Sequence, residues 1–93
     1  MTKAIYDPGY RKLVKELRQA RRRAGLTQSA AGQRIGCSRQ SVHKHETCEV
    51  RIDVAQLVRI CRVYGLHAHH LVRRMEEETP EEGVSFYLVA PAR

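Results

Sequence analysis

The 93-residue sequence predicts an all-α fold, a five-helix bundle containing a helix-turn-helix unit, followed by a C-terminal extension that forms a single β-strand. Three observations predict it. Apolar residues recur at steps of three and four through most of residues 10–76, the spacing that lines one face of an α-helix. Thr27, Ser38 and Asp53 stand where helix N-caps are needed, and Gly25, Gly36 and Gly65 stand where helices must end. Residues 84–90 differ in kind, being β-branched and aromatic with an alternating pattern.

The elements follow in order. Residues 1–9 read as an N-terminal lead-in, with Asp7-Pro8-Gly9 as a turn signal. The first helix is expected over residues 10–24, with Leu13, Leu17, Ala20 and Ala24 on one stripe. Arg11, Lys12, Lys15, Arg18, Arg22 and Arg23 cover its remaining surface, and Gly25 suits its C-terminal cap. Thr27 caps a short second helix from Gln28 to Arg34 or Ile35, which Gly36 ends. Ser38 caps a third, from Arg39 to Glu46. Residues 47–52 form a polar, irregular linker. Asp53 caps a fourth helix with Leu57, Ile60, Cys61 and Tyr64 facing inward, and Gly65 ends it. A fifth helix over residues 68–76 buries Leu71, Val72 and Met75.

The domain is thus residues 10–76. Residues 77–93 form an acidic linker and a strand, with Val84, Phe86 and Leu88 on one face. A lone strand is not stable, so this segment must pair with another copy, pair with the N-terminal segment, dock irregularly or stay loose. Dimerisation through Val84, Phe86 and Leu88 is the expectation.

Charge narrows the partner. The net charge is +7, unevenly placed. Residues 1–75 hold 16 Lys and Arg against five acids, a balance of +11, whereas residues 76–93 carry −4. A body this basic suits a polyanion, because neutralising phosphates releases counterions. The acidic run Glu76, Glu77, Glu78, Glu81 and Glu82 reads first as a solvated tail and second as a DNA mimic or a screen for the basic face. The three cysteines, Cys37, Cys48 and Cys61, form no CxxC pair, which argues against a disulfide framework or zinc ribbon and suits free thiols in the cytoplasm. No apolar run approaches the roughly 20 residues of a membrane span, and no signal peptide is visible.

Two short capped helices joined by Gly36, Cys37 and Ser38 form a helix-turn-helix. Close crossing needs small residues on the first of the pair, and Ala31 and Gly32 supply them. Val42 anchors the second of the pair to the bundle. Its outward positions are Arg39, Gln40, His43 and Lys44, side chains whose chemistry suits base edges and phosphates.

The stretch LRQARRRAGLTQSAAGQRIGCSRQSVHKHE, residues 17–46, resembles the Cro/repressor-type (XRE-type) helix-turn-helix family, with its characteristic pattern at residues 24–46. The likeness extends over five helices. It implies a lambda-repressor-like bundle and a DNA-binding transcriptional regulator, with double-stranded DNA as partner. It places Gln28 as a phosphate contact that also supports the third helix. Arg39 and Gln40 fall where the family reads bases, and Ser41 and Lys44 at base or backbone contacts. Ser38, His43 and, in the following loop, Arg51 complete the expected DNA-binding set, while Arg22 or Arg23 can reach phosphate from the end of the first helix. Glu46 matches a glutamate that pairs with a first-helix arginine, here Arg21, as a structural tie. The sequence departs from the family at three positions: Ala31 stands for Leu, Gly32 for Ala, and Cys48 for the Gly after the third helix. A thin or differently filled core at Ala31–Gly32 and an altered loop at Cys48 are therefore expected.

Other chemistries are poorly supported. His43 and His45 point to different faces, and His67 and His70 lack a third ligand at metal-binding spacing. No triad order, Gly-rich phosphate loop or carboxylate pair signals an enzyme. No cofactor is implied. The leading expectation is a regulator that binds an inverted repeat as a homodimer. Two alternatives are an antitoxin holding a toxin through its tail and a protein-interaction module without DNA binding.

Overall fold

The computed structural model describes residues 7–78. They form five helices: α1 (Pro8–Arg23), α2 (Gln28–Ile35), α3 (Arg39–Glu46), α4 (Val54–Tyr64) and α5 (Ala68–Glu78). The strand expected at residues 84–90, with its dimerisation residues Val84, Phe86 and Leu88, lies outside the described residues, as do Glu81 and Glu82.

Helix α1 starts two residues earlier than the apolar stripe suggests. The Asp7 carboxylate accepts from the Gly9 N–H at 2.7 Å and the Tyr10 N–H at 3.1 Å. Pro8 occupies the first turn, where a missing N–H costs nothing. Asp7-Pro8-Gly9 is therefore a helix start and not a lead-in turn. At the other end Ala24 is exposed as the C-cap residue rather than buried on the stripe, because the helix stops at Arg23 and Gly25 turns the chain at φ +74°.

Helix α1 is the spine of the core. Tyr10, Leu13, Val14 and Leu17 pack with Ala31 and Ile35 of α2, Ile60 and Cys61 of α4, and Leu71 of α5. Burying each of the large side chains stabilises by about 1.5–3 kcal/mol. Helix α5 lies along α1, and Gly9 permits the approach: a Cβ there would stand 2.8 Å from the Met75 carbonyl oxygen. Two exposed ion pairs bridge the helices, Arg74–Glu16 at 2.6 Å and Lys12–Glu78 at 3.0 Å. Thus α5 runs to Glu78, two residues past its expected end, and takes in acids assigned to the linker. Val72, expected in the core, is 44% exposed. It stands about 100° around the helix from Leu71, which takes the buried line against α1.

Helices α2 and α3 form the helix-turn-helix. Thr27 Oγ1 accepts from the Ala30 N–H and Ser38 Oγ from the Ser41 N–H, both at 3.0 Å. Gly36 takes the left-handed conformation at φ +94°. The N–H groups of Gly36 and Cys37 both donate to the Gly32 carbonyl at 2.8 Å. A Cβ on Gly32 would lie 2.6 Å from the Cys37 carbonyl oxygen, so the space a side chain would fill is taken by turn backbone. Ala31 is fully buried. After α3, Cys48 adopts φ +61° and buries its side chain in the core. The loop keeps a left-handed turn despite lacking glycine. Asp53 and Gln56 form a reciprocal capping box at the start of α4.

Candidate nucleic-acid interface

The face presented by α3 follows from its helical register. Val42 and His45 are buried, whereas Arg39, Gln40, His43 and Lys44 are exposed together on the opposite side. Burial holds the His45 imidazole below its usual pKa, so the core side of α3 keeps a neutral ring. Ser38 and Ser41 sit at the N-terminus of α3, with their hydroxyl oxygens 3.2 Å apart. That end carries unsatisfied N–H groups and a partial positive charge, favourable toward phosphate.

What orients α3 is a buried ion pair. Arg21 Nε donates to Glu46 Oε2 at 2.6 Å and Arg21 Nη2 to Glu46 Oε1 at 3.0 Å, a bidentate clasp between α1 and α3. Arg21 Nη1 also donates to the Leu26 carbonyl at 2.8 Å, tying in the α1–α2 turn. Both side chains are less than 10% exposed. Burial alone would raise the Glu46 pKa; the hydrogen bonds from Arg21 and Gln28, with the charges of Arg21 and Arg18, outweigh it and hold the pKa below the ordinary carboxylate range. Burial, followed by the charge of Glu46, pushes the nearby Tyr64 phenol up to about 12.

Gln28 belongs to this network. Its Nε2 donates to Glu46 Oε1 at 3.0 Å and stands 3.5 Å from His43 Nδ1. It ties the start of α2 to the end of α3, with its amide nitrogen turned inward. Arg51 is exposed on the loop after α3. The loop beside it is pinned by the Ile52 N–H, which donates to the Tyr10 hydroxyl at 3.0 Å. Arg22 and Arg23 are exposed at the end of α1.

The structure brings Arg21, Gln28, His43 and Glu46 into one network and places Arg39, Gln40 and Lys44 on the adjoining surface. Tyr10 and Arg18 join the site through the structure, Tyr10 by its bond to the loop and Arg18 by its charge beside Glu46. Arg18 precedes Arg21 by three residues, so the two share a helix face, a signal the sequence does carry. The 42-residue separation of Tyr10 from Ile52 leaves no such trace.

His67, His69 and His70 stack ring on ring, with centroids 4.2–5.7 Å apart. Among the described residues no group of three His, Cys, Asp or Glu side chains is placed to hold a metal ion, and no helix is long and apolar enough to cross a membrane.

Comparison with known proteins agrees with this geometry. A family model described as a helix-turn-helix domain matches residues 12–75. Among solved structures, an XRE-family like protein from Pseudomonas syringae pv. tomato str. DC3000 is similar at a TM-score of 0.72 and 35% identity, covering 85% of this chain and 96% of that one. No curated protein matches. With its five-helix bundle, its capped α2–α3 pair and the arginine–glutamate clasp behind α3, the chain belongs to the XRE-type helix-turn-helix family of DNA-binding regulators.

Proposed function

We propose that this protein is a sequence-specific transcriptional regulator that binds an inverted-repeat operator as a homodimer, with the N-terminal half of α3 in the major groove. The observation that carries this reading is the division of α3. Arg39, Gln40, His43 and Lys44 share its exposed face, while Val42 and His45 bury the opposite face in the bundle and Glu46, at the C-terminal end, ties the helix to Arg21. Arg39 suits guanine O6 and N7, and Gln40 suits adenine N6 and N7. Ser38, Ser41, Gln28, His43, Lys44 and Arg51 add groups that suit phosphate or neighbouring base edges. One recognition helix offers only three or four base contacts, so a second half-site one helical turn away supplies the remaining specificity.

The test is selection of genomic DNA fragments by the purified full chain, followed by affinity measurement on the enriched site. The selected site is expected to be a short palindrome. Arg39→Ala with Gln40→Ala should weaken specific binding at least tenfold, at about 1–3 kcal/mol for each lost bidentate contact. Unchanged affinity in the double variant would refute α3 as the reader.

A further inference from the structure

A second basic surface lies on the other side of α1. Between α1 and α5 runs an open groove of about 790 Å³. Lys12, Lys15, Gln19 and Arg23 of α1 line one wall, with Arg74 of α5 and Leu66 beyond. Arg11 and Glu16 complete the lining. Glu16 is the one acid in it, and Arg74 holds that carboxylate in a bidentate pair at 2.6–3.2 Å. Lys12 reaches Glu78 at the rim, in a pair where both side chains are more than 40% exposed. Such pairs are weak and readily exchanged.

This groove is separate from the α3 face. A helix advances about 100° per residue. Glu16 and Arg23 therefore point about 140° and 160° away from Arg21, whose side chain is directed at α3. None of the groove's side chains enters the Arg21–Glu46–Gln28 network.

We propose that the α1–α5 groove takes the phosphate backbone of a second double-stranded DNA segment while α3 reads the first, so that the protein bridges two duplexes. The inference goes beyond the proposed function and rests on it only for the first contact. The dimensions suit a backbone. Lys12 to Arg23 spans about 16 Å of helix, the axial rise of about five phosphates on one strand. The chemistry favours DNA over an acidic peptide. Protein partners anchor through apolar or aromatic side chains in pockets, and the groove offers Leu66 alone for that purpose. Backbone phosphates ask only for flexible cations along a track.

The test immobilises one duplex, loads the full chain on it, and measures capture of a second, fluorescent duplex at about 50 mM salt. The wild-type protein should retain the second duplex. Lys12→Gln with Lys15→Gln should reduce that capture at least tenfold while leaving genomic fragment selection unchanged. Both side chains are exposed, so helical circular dichroism should be preserved. Adding the pair to Arg39→Ala/Gln40→Ala should lower the slope of log K against log salt by about 1.8, two phosphate contacts at about 0.9 each. Absence of capture by the wild type, equal capture by the lysine variant, or preferential binding of a polyglutamate peptide in the groove would each overturn the proposal. If Arg39→Ala/Gln40→Ala leaves fragment selection intact, the α3 reading fails, and the wild-type against lysine-variant comparison still decides this one.

Discussion

Arg21 of α1 and Glu46 of α3 face each other through two parallel hydrogen bonds, of 2.6 and 3.0 Å, with both side chains withdrawn from solvent. The pair joins positions 25 residues apart and sets the orientation from which α3 presents Arg39, Gln40 and Lys44. Removing Glu46 would leave a buried guanidinium with only the Leu26 carbonyl. Glu46→Ala should therefore cost about 3 kcal/mol in urea unfolding. Replacing both partners with apolar residues, Arg21→Met with Glu46→Leu, should restore more than half of that loss. A single-variant cost below about 1 kcal/mol would mean that the clasp is energetically idle.

Stability should fall as the solution is acidified below neutrality. Burial lowers the pKa of His45, so between the folded and unfolded values the unfolded chain holds more protons. Stability then rises with pH, and this contribution is lost as pH falls through the unfolded value of about 6.5. His70, held down chiefly by the charge of His69, acts in the same sense. Glu46 extends the trend. Its folded pKa is depressed, so its contribution is complete above the unfolded value of about 4.3 and is lost as pH falls through the folded one. Thermal melts from pH 8 to 4 should show a decline beginning near 6.5 and steepening below about 4.5. A melting temperature that climbs between pH 7 and 5.5 would contradict this assignment.

Gly32 sets helix propensity against packing. Alanine in a helix interior normally gains about 1 kcal/mol over glycine. Here the new methyl would meet the Cys37 carbonyl oxygen at 2.6 Å and the Ser38 carbonyl group at 3.2 Å, all of it turn backbone. Gly32→Ala should therefore destabilise by about 1–3 kcal/mol, the usual penalty for overpacking. Denaturant titration measures it directly, and a stabilised variant would show that the turn yields easily.

Cys48 carries a left-handed backbone at φ +61° with a side chain buried in the core. Cys48→Ala keeps the strain and loses the thiol's contacts, whereas Cys48→Gly loses the contacts and relieves the strain. The glycine variant should be the more stable of the two by about 1 kcal/mol, from the cost of holding a non-glycine residue left-handed. Equal melting temperatures would place the strain elsewhere.

The local elements and the reading face were legible in the sequence because their causes are local. Apolar spacing marked the helices, Thr27, Ser38 and Asp53 capped three of them, and Gly36 and Gly65 ended two. Residues 39, 40, 43 and 44 fall on one side of a helix anchored by Val42, so Arg39, Gln40, His43 and Lys44 could be named from register alone. Tertiary structure decided what depends on elements distant in the chain. Val72 is exposed because α1 covers only the Leu71 side of α5. The amide nitrogen of Gln28 turns inward because Glu46 is there to accept its proton. Gly32 is required because the turn backbone folds into its side-chain space. Tyr10 holds the loop beside Arg51 through one hydrogen bond across 42 residues. The α1–α5 groove exists only because α5 lies along α1 and gathers cations that the sequence shows scattered over a surface. Periodicity and capping act over a few residues and leave a pattern in the chain; close approach and charge convergence depend on where helices meet, and only the fold sets that.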